Sequence, residues 1–282
     1  NGINNPIGMS GVRLEVDTHI VTASATNLKN IEKVLSDLGV KGVGYVFAGV
    51  SAAESVLTDT EKDLGVAVAD IGGGKIDMCI YVEGALSYSS SIPIGARHIS
   101  NDIAVGLRIS LDSADAVKLY LSNNPSLVED ASRRKDKTFF TSQKLHITEQ
   151  LPDISPKEII EGIIGPRIDE IYTCIADEIA QSGFEKHIPS GIVITGGGAM
   201  TIGMVEQGKR ITRLPVRVGV PDKATGLVDE VMNPMYSATL GLIYYGNKQL
   251  SEDGSSLKNF NSILQNFSFG DIMSQFKKLF KQ

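Results

Sequence analysis

Two glycine runs in the sequence have the residue types to hold a phosphorylated ligand. The first lies in Leu64-Gly-Val-Ala-Val-Ala-Asp-Ile-Gly-Gly-Gly-Lys-Ile-Asp77. Asp70 sets a carboxylate where an apolar run ends. Gly72, Gly73 and Gly74 have no Cβ, so the backbone there can take φ > 0 and approach a ligand closely. Three bare N–H groups beside an acid suit phosphate together with a bound cation. The second run, Thr195-Gly-Gly-Gly-Ala199, comes about 120 residues later. It follows Gly191-Ile-Val-Ile194 and precedes a helical pattern over 202–209, a layout that presents backbone N–H groups to a ligand. Taken alone, each run reads equally well as an ordinary glycine-rich turn.

The elements that would position these runs follow from periodicity. Val66 to Ala69 read as a strand covered on both faces, and Ile76, Met78, Ile80 and Val82 as a returning strand. Glu83-Gly84 is a turn into a third strand over 86–93, giving an antiparallel meander at the edge of a mixed sheet. Further strands are expected over 12–22, 43–50, 191–194 and around Val216 and Val218, with a short hairpin strand over 139–146. Helical spacing covers 28–38, 52–57, 99–107 and the stretch after Ser113. A long amphipathic pattern runs from Pro156 to Ile179, where Gly162, Gly165 and Pro166 are candidates for a kink. Residues 233–246 open with proline and small residues and predict a close-packed helix. Strands alternating with helices give an α/β class, with 98–185 a helical insertion.

Composition narrows the function. A net charge of −6 over 282 residues argues against general nucleic-acid binding. Cys79 and Cys174 and the scattered His19, His98, His146 and His187 make no metal-ligand spacing. No run of about 18 apolar residues is present to span a bilayer. The chain opens Asn1-Gly-Ile-Asn-Asn-Pro, without a signal-peptide pattern or Met, so a preceding N-terminal part is expected. Residues 251–268 read as a polar linker. Beyond it, a helix over 269–282 would line Phe269, Ile272, Met273, Phe276, Leu279 and Phe280 on one face, with Lys277, Lys278 and Lys281 on the flank and opposite side. Three lysines against one aspartate give this tail a charge of +2, leaving −8 for the rest, which suits an anionic membrane surface.

Together the two glycine runs resemble the second phosphate loop and the adenosine loop of the actin-like ATPase superfamily. Within it, the chain is similar to the FtsA family of bacterial cell-division proteins. That similarity rests on Asn5-Pro-Ile-Gly-Met-Ser-Gly-Val-Arg13, Phe47-Ala-Gly49, Asp70 to Gly74, Ser113-Ala-Asp-Ala-Val-Lys118, Gly165-Pro-Arg167, Ile194 to Gly198, Tyr236-Ser-Ala-Thr-Leu-Gly241 and the amphipathic tail. It implies an actin-like (ribonuclease H-like) α/β fold. Residues 1–43 would complete subdomain 1C and 44–59 subdomain 1A. Residues 60–97 and 186–250 would form 2A around a 2B insertion at 98–185, followed by the linker and the membrane helix. The family's first phosphate loop would lie upstream.

The resemblance also implies roles. ATP and Mg²⁺ would bind here, with Asp70 holding Mg²⁺ through water, Gly72, Gly73 and Gly74 donating to the β/γ-phosphates, and Gly196, Gly197 and Gly198 lying along adenosine. Asp115 and Lys118 would sit near the nucleoside; their plainer reading is a solvated helix face. Lys75 stands where such loops usually carry a small hydroxyl residue, and is expected to tighten ATP without speeding hydrolysis, or to point to solvent. Arg167, expected to be exposed, and Glu170 are candidates for taking the C-terminal peptide of FtsZ, with the charge run 133–137 a second candidate. The implied protein binds ATP with weak or no turnover and assembles like actin. It tethers FtsZ filaments to the cytoplasmic side of the inner membrane at the division septum, among other divisome proteins. An actin-like-fold sugar kinase or phosphohydrolase is the alternative.

Overall fold

The computed structural model describes residues 8–42, 44–126, 141–152, 154–221 and 231–252. Its strands are β1 (Val66–Ile71), β2 (Ile76–Val82), β3 (Ala85–Ile92), β4 (Ile192–Thr195) and β5 (Val216–Val218). They form one mixed sheet in the order β3-β2-β1-β4-β5. β1, β2 and β3 make the expected antiparallel meander. β4 then pairs in parallel with β1, and β5 in parallel with β4.

The central strands are apolar throughout because both faces of the sheet are covered. Ala67, Ala69, Ile71, Met78, Ile80, Ile192 and Ile194 face one core. That core continues without a break into Ile99, Ile103, Val117, Leu121, Ile164, Ile168, Tyr172 and Ile175. The first helices in chain order are α1 (Ala25–Asp37), α2 (Ala48–Val56), α3 (Asp59–Leu64), α4 (Ala96–Leu107) and α5 (Leu111–Asn123), and these core residues belong to α4, α5 and the long helical stretch after Pro156. The inserted helices therefore share their core with the sheet. Val66, Val68, Cys79, Tyr81 and Val193 face the other way, onto Ala53, Val56 and Leu57.

The long helical stretch starts at a capping box, where the Ser155 hydroxyl accepts from the Glu158 N–H and Glu158 accepts from the Ser155 N–H. It consists of Pro156–Ile159, a π-helical turn at Ile160–Ile164 and an α-helical segment Gly165–Ser182. Pro166 has no N–H to continue the ladder. The chain widens by one residue and the Gly165 N–H reaches the Ile160 carbonyl. The anticipated kink is this wide turn.

Several expectations are corrected. Residues 12–22 form no strand: all are exposed and none is paired in a sheet, the His19 ring reaching only the Ser89 hydroxyl at 2.8 Å, and alternation without a partner strand does not make a sheet. In place of a strand over 43–50, Ala48 opens a helix that runs to Val56, and Gly49, Ala52, Ala53 and Val56 make its buried side. Its small residues let it lie against the last described helix, Ser237–Glu252. There the Ser51 hydroxyl donates to the Ala238 carbonyl at 2.5 Å and the Ser55 hydroxyl to the Ser237 carbonyl at 2.8 Å. A Cβ on Gly241 would overlap the Ser51 backbone, so glycine is what lets these helices approach. Within the expected hairpin strand, Ser142–Leu145 is a helical turn capped by Thr141. The cap of α5 is Ser110 rather than Asp112 or Ser113. The linker from 253 on, the tail residues Phe269 to Lys281 and the charge run 133–137 lie outside the described residues.

Candidate nucleotide-binding site

Because β1 and β4 run in parallel, they leave the sheet at the same edge, and the two glycine runs begin there side by side. This is the edge at which open α/β sheets bind ligands. The approach is close: a Cβ on Gly196 would meet the Asp70 carboxylate and the Ile71 carbonyl, and one on Gly198 would meet Ile71 and Ala96. Gly196 takes φ +80. Its N–H donates to the Pro234 carbonyl at 3.1 Å, and the Thr195 hydroxyl donates to the Gly219 carbonyl at 3.0 Å and lies 2.6 Å from the Ser237 hydroxyl. The second loop is thus tied to the start of the 237–252 helix.

The first loop is held from the other side by α4. The N–H groups of Ala96 and Arg97 donate to the carbonyls of Gly72 and Gly73 at 2.9 and 2.8 Å. At Gly72 a Cβ would press on the Lys75 carbonyl, 3.2 Å away. At Gly73 and Gly74 no atom of the described residues comes within 4 Å of where a Cβ would lie. Nothing inside the described fold therefore requires glycine at 73 or 74, and both are exposed.

Asp115 and Lys118 join the same place. The Lys118 ammonium donates to the Ser100 hydroxyl at 2.5 Å, the Asp115 carboxylate at 2.9 Å and the Ala96 carbonyl at 3.4 Å. Ser100 in turn donates to Asp115. The Lys118 side chain is only 13% exposed, so the pair is not a solvated helix face. Burial pushes the Asp115 carboxyl up, but the hydrogen bonds from Ser100 and Lys118 and the charges of Lys118 and Arg97 outweigh it and hold the pKa below its ordinary value.

The sequence reading missed a row of polar side chains. In register across four strands stand Ser91, Asp77, Asp70 and Thr195. All four share a face, since Val66, Val68, Cys79, Tyr81 and Val193 of the same parity line the core beneath α2. Asp77 is buried, and the Ser91 hydroxyl donates to it at 2.8 Å. Burial, then the charge of Asp77, push the Asp70 carboxyl up to about 6, with Lys75 opposing. The signal in the sequence was Asp77 seven residues after Asp70, which a two-residue-longer hairpin would have put elsewhere. Lys75 neither points freely to solvent nor stands apart from the acids: its ammonium lies 2.7 and 3.0 Å from the two Asp77 oxygens. Among the described residues no three His, Cys, Asp or Glu side chains cluster to hold a metal by themselves. A single carboxylate, Asp70, is compatible with Mg²⁺ where waters and phosphate oxygens of a ligand complete the cation's shell.

Arg167 lies elsewhere and is not the exposed cation expected. Its side chain is 23% exposed; Nε and Nη2 donate to Asp102 of α4 at 2.5 and 3.0 Å, and Nη1 donates to Glu170. The guanidinium is spent on tying α4 to the long helix. Together with Gly162, Ile163 and Pro166, these residues line a shallow hollow of about 230 Å³.

The fold belongs to the actin-like ATPase class. MreB5 of Spiroplasma citri, in a structure bound to ADP, superposes with a TM-score of 0.56 at 17% identity, over 83% of this chain and 69% of that one. The ethanolamine utilization protein EutJ from Carboxydothermus hydrogenoformans gives 0.52 at 19% identity, over 78% of this chain and 61% of that one. At these identities the likeness is one of fold. The model of the family "Cell division protein FtsA" matches residues 67–241, and that of the SHS2 domain inserted in FTSA matches residues 1–22. The chain belongs to the FtsA family. It is 37% identical to the cell division protein FtsA of Pseudomonas aeruginosa over 256 residues, covering 91% of this chain and 60% of that protein. It is 33% identical to that of Escherichia coli K12 over 254 residues, covering 88% and 59%. The chain thus spans about 60% of the length of these relatives. No described helix is long and apolar enough to cross a membrane.

The Asp115 geometry carries a pH dependence. A depressed folded-state pKa stabilises above the ordinary 3.8 and is lost as pH falls through the folded value. With Asp115 partly open to water, Asp115→Asn is expected to cost about 0.5–1 kcal/mol at pH 7. In urea titrations that cost should shrink as pH falls below 3.8 and vanish below the lower folded-state value, where the unsubstituted carboxyl is protonated in both states.

Proposed function

We propose that this protein binds ATP with Mg²⁺ across its paired glycine loops and, as a member of the FtsA family, assembles like actin and links FtsZ filaments to the cytoplasmic membrane at the division septum. The observation that carries the nucleotide reading is the open space over Gly73 and Gly74, glycines that the described fold does not itself require. Their N–H groups are the donors for phosphate. Asp70 faces the same edge and would hold Mg²⁺ through water, while the backbone of Gly196, Gly197 and Gly198 would lie along adenosine, with room at Gly197 and close packing at the other two. Asp115 and Lys118, locked on the start of α4, serve the nucleoside side. When bound, Mg²⁺ would neutralise phosphate charge; the chain's own groups orient the ligand. The role assigned is binding with weak or absent turnover, since none of these residues is given the part of a catalytic base.

We propose the same domain division as the resemblance implies: 1–43 for 1C, 44–59 for 1A, 60–97 with 186–250 for 2A, 98–185 for 2B, then the linker and the tail. The hollow beside Arg167 and Glu170 is the proposed place for the FtsZ C-terminal peptide, with Arg167 shaping it through Asp102 rather than offering a free charge. Membrane attachment rests on the sequence of 269–282, whose apolar and lysine positions separate at helical spacing. Each lysine near anionic lipid contributes about 1 kcal/mol, so a single tail binds reversibly and an array of tails firmly.

Gly73→Val places a side chain in the open space over the loop. In the full-length protein it is expected to leave the thermal midpoint within about 2 °C while weakening ATP binding about tenfold or more by fluorescence titration with a labelled ATP. Unchanged affinity refutes the phosphate role of this loop. Phe276→Glu with Leu279→Glu is expected to abolish co-sedimentation with anionic liposomes; retained sedimentation sinks the tail assignment.

A further inference from the structure

Lys75, expected from the sequence to tighten ATP, is the loop residue whose means of doing so is still unassigned. Its side chain is 59% exposed along its length, yet its ammonium is placed on both oxygens of Asp77, whose own side chain is 4% exposed. Asp77 stands directly opposite Asp70 in the β1–β2 register, on the same face of the sheet. Two like charges facing each other across a strand pair repel, and a triphosphate approaching Gly73 and Gly74 would meet both. A hydroxyl from Ser91 satisfies part of Asp77 but brings no positive charge. Lys75 supplies that charge from within the chain.

We infer that Lys75 is a built-in counter-ion: it neutralises Asp77 so that an anionic nucleotide meets one free carboxylate, Asp70, at the loop instead of two. Lys75 is then a positioning and screening residue that acts through Asp77 and makes no required contact with phosphate. This rests on the nucleotide-binding reading above. It also makes removal of the lysine reversible by removal of its partner.

The test is MgATP affinity of the full-length protein by calorimetry, for the unsubstituted chain, Lys75→Met, Lys75→Arg, Asp77→Asn and the double variant Lys75→Met with Asp77→Asn. Lys75→Met is expected to weaken binding about tenfold or more, because an unpaired buried carboxylate now faces the ligand. Lys75→Arg should bind within about threefold of the unsubstituted protein, and the double variant should recover to about the same range. Asp77→Asn alone should bind at least as tightly as the unsubstituted protein, and decides the matter if Lys75→Met fails to fold. A double variant as weak as Lys75→Met would show that the ammonium acts on phosphate directly and overturn the inference. So would unchanged binding by Lys75→Met, or weakened binding by Asp77→Asn. If the unsubstituted protein does not bind MgATP, the nucleotide reading itself has failed, an outcome separate from these, and the inference falls with it.

Discussion

The parallel pairing of Val66–Ile71 with Ile192–Thr195 is the constraint on which the rest depends. Two strands more than a hundred residues apart in sequence must leave the sheet at one edge, in register, with Asp70 beside Thr195. Side chains in the turns that follow would drive the chains apart. Gly196 and Gly198 pass directly against Asp70, Ile71 and Ala96, and a Cβ at either would overlap them. Backbone N–H groups from α4 then fix the carbonyls of Gly72 and Gly73. The missing side chains of Gly196 and Gly198 in the second loop therefore serve packing, whereas at 73 and 74 in the first no described atom crowds the place a Cβ would take. The division of labour between two similar motifs follows from which strand end is crowded.

The candidate site was legible to the extent that its chemistry is local. A glycine run at the end of an apolar strand marks itself, and Asp70, Gly72–Gly74 and Gly196–Gly198 were found that way and lie together. Asp115 and Lys118 came only through resemblance, since helical spacing alone cannot separate a half-buried ion cluster from a solvated face. What depended on register was not legible. Asp77 and Ser91 acquire meaning because β2 and β3 place them in line with Asp70, and a one-residue slip would turn them to the other face. Arg167 was misjudged for a related reason: its partner Asp102 is 65 residues away and meets it only after α4 packs on the long helix. The strand expected over 43–50 failed because small residues that fit a sheet equally fit a close helix pair, and Gly241 decided between them.

Electrostatics sets the character of this edge. Burial and a neighbouring acid both raise the Asp70 carboxyl, to about 6, so its charged form is held at some cost unless a cation is near. Lys75 meets that demand for Asp77, while Asp70 has no lysine of its own among the contacts described. An edge so arranged favours an anion that brings a divalent cation with it over an anion alone. The proposed MgATP is such a ligand, and on that proposal the N–H groups of Gly73 and Gly74 are its phosphate donors.

The most direct test of the central claim is backbone hydrogen–deuterium exchange on the full-length protein, with and without MgATP. A ligand gripped by both turns should slow exchange at Gly72–Gly74 and at Gly196–Gly198 together, leaving the exposed stretch 8–22 unchanged. Slowing at one turn without the other, or at neither under conditions where ATP is bound, would contradict the account.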